Sequence, residues 1–179
     1  MNAINTQTQK ALVVLGGSAL GVVLAGFVKH KGSIAMLPKG SKTNIKATNN
    51  FSYSELEFYD TIPPEYMANA TKLLENLQVI RDALNAPITI ISGYRSAARN
   101  AAVGGKDRSL HLQAAAADIT VKGFTSTQVY EAVSKLIKDG KVYNGGLGVY
   151  NDFVHYDVRG EHTGHKQGSR WDERTQPVR

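Results

Sequence analysis

The chain contains no cysteine in its 179 residues, which excludes disulfides and thiolate metal sites. It also contains no acidic residue before Phe51, although Lys10, Lys29, Lys31, Lys39, Lys42 and Lys46 all lie there. From Phe51 onward fifteen basic and fifteen acidic residues cancel, so the whole net charge of +6 belongs to the first fifty residues. A nucleic-acid-binding domain carries its positive charge on the folded part. The sequence pI near 9.5 therefore does not argue for a nucleic-acid partner. Lysines clustered beside an apolar segment suit anionic lipid headgroups better. No internal repeat is present, and the length is that of one domain with room for a core.

The apolar segment is Ala11 to Val28, which carries no charge and is just long enough to cross a bilayer core. Gly16, Gly17, Gly21 and Gly26 weaken a soluble helix but are common in membrane helices. Gly17 and Gly21 form a Gly-x-x-x-Gly face, a weak signal for self-association. Two readings stand side by side: an uncleaved transmembrane anchor, or a signal segment cleaved after Val23-Leu-Ala25. More lysines follow the segment than precede it, which by the positive-inside tendency opposes export of what comes next.

Residues 1–10 read as a tail and 29–50 as a basic flexible linker rich in Gly, Ser, Thr, Asn and Lys. The folded region is expected over 51–172, with a short tail at 173–179. It opens with a docking segment or short helix at Phe51. Pro63 and Pro64 suit the first turn of a helix, and Met67, Ala70, Leu73, Leu74, Leu77, Ile80 and Leu84 continue at helical spacing. Pro87 ends it. Ile88 to Ile91 and Ala115 to Val121 read as strands, and Thr127 to Asp139 as a second amphipathic helix before Gly140. Leu147–Tyr150 and Phe153–Val158 form a hairpin joined at Asn151-Asp152. The fold class is α+β, a small antiparallel sheet packed with helices.

Two blocks carry the chemistry. Ser109-Leu-His-Leu-Gln-Ala-Ala-Ala-Ala-Asp118 offers His111 and Asp118, and Asp152-Phe-Val-His155-Tyr-Asp157 offers His155. Imidazole and carboxylate suit Zn2+, and three protein ligands leave a fourth position for water. A carboxylate at Asp118, inside an apolar strand, is costly to bury without a partner, and a metal provides one. His155 and Asp157 share a face by strand alternation, so a structural His–Asp pair is the competing reading. His162 and His165 read as solvated.

These blocks resemble the M15 metallopeptidases, zinc enzymes that cut peptidoglycan stem peptides. Their Ser-x-His-x-x-Gly-x-Ala-x-Asp pattern is matched by Ser109, His111, Ala116 and Asp118, with Ala114 in place of the usual glycine. Ile91-Ser-Gly-Tyr-Arg95-Ser96, Asn100, Gly104-Gly105, Gly145-Gly-Leu-Gly-Val-Tyr150 and Arg170-Trp171 extend the likeness over about residues 51 to 172. The resemblance implies a zinc peptidase with His111, Asp118 and His155 as ligands. It further implies Arg95 as a carboxylate-binding residue, with Ser109 adding a hydrogen bond. For the general base it offers Asp152, three residues before the last ligand, and Asp157 as the alternative. Asp157 could instead orient His155.

The expected protein is a membrane-tethered peptidase facing the periplasm and cell wall, or a virion membrane. Its partners are peptidoglycan peptides and membrane lipid, its setting wall remodelling or phage lysis. The competing class is a non-catalytic wall-binding protein that keeps the fold.

Overall fold

The computed structural model describes residues 45–175, so the apolar segment at 11–28 lies outside the described residues. Among the described residues no helix is long and apolar enough to cross a membrane.

The first long helix, α1, spans Met67–Leu84 and is led in by a 3-10 turn at Pro64–Tyr66. Proline has no amide hydrogen to lose at a helix start. The apolar stripe buries Leu73, Leu74, Leu77 and Ile80 completely. Each contributes about 1.5–3 kcal/mol. Asn85 ends the helix in the left-handed region at φ 47. Another helix, α2, is short, Ala97–Ala102, and was not evident from periodicity; Ser96 caps it by accepting from the Arg99 amide. The last, α3, spans Ser126–Lys138, with Thr125 and Gln128 forming a reciprocal capping box.

Five strands form one sheet: β1 Ile88–Ser92, β2 Ala116–Val121, β3 Leu147–Val149, β4 Val154–Asp157 and β5 Arg170–Asp172. Their spatial order is β1-β2-β4-β3-β5. All neighbours are antiparallel except β3 and β5, which run parallel. The sheet is thus mostly, not wholly, antiparallel. The strand β5 escaped the sequence pattern because three residues are too few to show alternation.

Alternation then divides the two faces. Ile119, Val121, Val154, Tyr156, Leu147 and Val149 turn inward to the core, where α1 and α3 pack on the sheet. Asp118, His155, Gly148 and Trp171 occupy one cross-strand row on the other face.

Residues 45–50, assigned by composition to the linker, are tied to α1. Thr48 Oγ1 donates to Gln78 Oε1 at 2.9 Å, and the Asn50 amide donates to the same oxygen at 3.0 Å. Phe51 beside them is buried.

Candidate metal centre

His111 sits on a 3-10 turn, Leu110–Gln113, and is buried. Its Nδ1 meets the Gly93 carbonyl at 2.6 Å. Gly93 can bring that carbonyl in because it has no side chain: a Cβ there would lie 2.6 Å from the Leu56 backbone. The Leu56 carbonyl accepts from the Tyr94 amide at 2.8 Å, and the Arg95 amide donates to the His111 carbonyl at 3.1 Å. The Ser-Gly-Tyr-Arg block is therefore the frame that holds His111. Its turn closes at Ala114, whose φ of 50 is left-handed. That is where the M15 pattern has glycine. Alanine accepts the conformation at a cost of about 1–2 kcal/mol, and the turn forms nonetheless.

Asp118 on β2 and His155 on β4 are directly paired across the strands. His155 Nδ1 lies 2.9 Å from Asp118 Oδ1, and His111 Nε2 lies 3.4 Å from the same oxygen. The ligand atoms of these three residues all fall within 4.8 Å of one another. The other side of each ligand is also held. His155 Nε2 is 3.0 Å from Asp157 Oδ2, and Arg95 Nη2 donates to Asp118 Oδ2 at 3.0 Å. Asp157, fully buried, also accepts from the Gly146 amide at 2.8 Å and from both Nε and Nη2 of Arg159. Trp171 covers Gly148 and meets the His155 ring at 5.3 Å between centroids.

The electrostatics follow from these contacts. Burial lowers the His111 pKa below the usual histidine value, against the pull of Asp118. Burial would lower His155 as well, but hydrogen bonds to Asp118 and Asp157 outweigh it and push it up to about 9. Burial raises the Asp118 carboxyl; contacts with His111 and His155 overcome that and hold it well below the carboxylate range. Asp157 is likewise held low, by His155 and Arg159 against burial.

Whether a metal fits can be read from His111. Neutral, with its Nδ1 proton donated to Gly93, it turns a lone pair on Nε2 towards an Asp118 oxygen that is itself an acceptor. Two facing acceptors need a cation between them. A tetrahedral ion with bonds of about 2.0–2.1 Å spaces its donors roughly 3.3 Å apart. The observed 3.4 Å suits such an ion, and the 2.9 Å His155–Asp118 hydrogen bond would have to open by about 0.4 Å to admit it. The group can hold a divalent metal.

The three ligands lie at a cavity of about 740 Å³. Arg95 and Ser109 line it as well, so five of the site residues read from the sequence converge here. Asp152 does not line it; it is exposed on the turn between β3 and β4. Asp157 lies beneath His155 with its oxygens occupied. His165, read as solvated, lines the cavity, with Nε2 3.1 Å from the Arg108 carbonyl. Arg159, Arg108 and Glu173 also line it and were missed. Alternation past Asp157 could have pointed to Arg159; nothing local marks the other two.

No curated protein matches the sequence. Residues 49–157, more than half of the chain, match the family model described as peptidase M15. The matched span contains His111, Asp118 and His155, and this protein therefore belongs to the M15 peptidases, a metallopeptidase family.

Proposed function

We propose that this protein is a zinc-dependent peptidase that hydrolyses peptidoglycan stem-peptide bonds. The observation that carries the reading is the convergence of His111 Nε2, Asp118 Oδ1 and His155 Nδ1 beside an open cavity. Zinc bound there supplies a Lewis acid that acidifies water and polarises a carbonyl.

The chain's own residues have separable tasks in this reading. Gly93 and Asp157 fix the ring orientations of His111 and His155, and Arg95 fixes the Asp118 carboxylate. Arg95 Nη2 and Nε also reach Ser92 Oγ, at 2.8 Å and 3.0 Å. Nη1 is left to meet a substrate carboxylate, with Ser109 beside it in the cavity wall. For proton transfer, Asp157 is unsuited because Arg159, Gly146 and His155 saturate it. Asp152 is the proposed base. It is exposed, three residues before His155, and flanked by Tyr150 and Phe153, which line the cavity. To act as base its carboxylate would have to enter the cavity, which requires the turn to move.

The uncharged segment 11–28 and its lysine flank support a membrane tether that presents the peptidase to the cell wall. Digestion of purified peptidoglycan by the zinc-loaded chain, with fragments identified by mass spectrometry, tests the activity. Release of new amino or carboxyl termini is expected. Stoichiometric zinc with intact peptidoglycan would leave the wall-binding class instead.

A further inference from the structure

The register places the cavity's charges at its two ends. The row Asp118–His155–Gly148–Trp171 crosses the sheet at the metal centre. Two residues beyond Trp171, Glu173 falls on the same face, with its amide donating to the Val149 carbonyl at 2.9 Å. That position is level with Tyr150 and Phe153, whose rings stack at 4.4 Å. In the opposite direction along the strands, β4 ends at Asp157 opposite the start of β2. There the chain leads into Gly164 and His165, which hold Arg108: Arg108 Nη2 donates to the Gly164 carbonyl at 3.0 Å. Lys106 stands in the same turn, its carbonyl accepting from the Ser109 amide at 2.9 Å.

Pairing removes most of the other charge. Arg95 is matched by Asp118 and Arg159 by Asp157. Lys106, Arg108 and Glu173 line the cavity with no ion-pair partner among the described residues. Asp107, exposed beside the two cations, is not part of the lining. The cavity thus has a cationic end, a metal centre in the middle, and an aromatic end bearing one carboxylate.

We infer that the cavity selects a peptide of defined polarity: a carboxylate on one side of the central bond lies against Arg108 and Lys106, and an ammonium on the other lies against Glu173. Arg108 can grip a carboxylate in two-bond geometry, while Lys106 adds a point charge. The Tyr150–Phe153 stack and Trp171 give the ammonium's aliphatic stem an apolar wall and its charge ring faces. This rests on the peptidase reading for the identity of the bond, though not for the charge preference.

The test is calorimetric binding to the zinc-loaded full chain. The probe is a tetrapeptide with glutamate and lysine on either side of a central amide that is N-methylated to block cleavage. Controls replace glutamate by glutamine or lysine by acetyl-lysine. Each neutralisation is expected to weaken binding about two- to fivefold at low salt, and less at high salt. Arg108→Gln should abolish only the preference for glutamate over glutamine, and Glu173→Gln only that for lysine over acetyl-lysine. Because Arg108 also straps a loop, Lys106→Gln serves as a second variant and should weaken the glutamate preference alone. Equal affinity for charged and neutral probes, no binding, or variants that lose the wrong preference would overturn the inference. Hydrolysis of the unmethylated peptides without charge preference overturns it while sparing the peptidase reading. Charge-selective binding without hydrolysis does the reverse.

Discussion

His155 is held between two carboxylates, with Nδ1 2.9 Å from Asp118 and Nε2 3.0 Å from Asp157. The second contact decides which nitrogen remains for a metal. Asp157, itself clamped by Arg159, keeps the proton on Nε2, and Nδ1 faces the other ligands.

Asp157→Asn should therefore weaken zinc binding by about ten- to a hundredfold, the usual effect of losing a partner behind a ligand. Competition against a chelator measures this. An unchanged affinity would mean that Trp171 and the strand pairing alone orient His155.

Zinc affinity should rise with pH over a window set by His155. Below about pH 9 the ring is protonated in the metal-free protein, and binding must release that proton. The apparent constant should climb about tenfold per pH unit as the pH rises towards about 9, then level off. Stability of the metal-free form runs the other way. The raised pKa makes the His155 contribution complete below 6.5 and lost as the pH passes about 9. Thermal melts with and without zinc should diverge across that interval; parallel curves would sink the assignment.

Arg95→Lys keeps the charge but cannot hold Ser92 and Asp118 while presenting a further donor to the cavity. Turnover on peptides should fall about ten- to a hundredfold, with zinc loss of less than tenfold. Full activity in Arg95→Lys would show that no planar clamp is needed.

Asp152→Asn should keep its zinc and lose about two to four orders of magnitude in hydrolysis. Near-normal rates would remove Asp152 from the chemistry, and proton transfer would then have to be sought in the cavity at Glu173.

A chain beginning at Ile45 keeps the Tyr53 amide bond to the Ile45 carbonyl and the Thr48 and Asn50 bonds to Gln78, and should retain the fold and the metal centre. One beginning at Phe51 loses the Thr48 and Asn50 bonds to Gln78 and should be less stable by about 1 kcal/mol. Denaturant midpoints of the two compare them directly. Identical midpoints would make 45–50 a linker after all.

Much of the framework was legible in the sequence because its signals are local. The stripe from Met67 to Leu84 obeys the helical period, Gly140 marks the end of the second amphipathic helix, and Asn151-Asp152 separates two alternating runs. The three ligands stood out because their blocks resemble the M15 pattern; by residue type alone a structural His155–Asp157 pair competed with them. What the chain could not reveal by itself are relations between distant segments. The shortness of β5 hid it, and its parallel pairing is what lays Trp171 over Gly148 and puts Glu173 at the cavity. In sequence Asp152 is the first choice of base and Asp157 its alternative. Tertiary packing separates them, because the Arg159 and Gly146 contacts that saturate Asp157 form when β4 turns back beside β3. The sequence determined which chemical groups are present; the folded sheet decided which of their lone pairs and charges remain available.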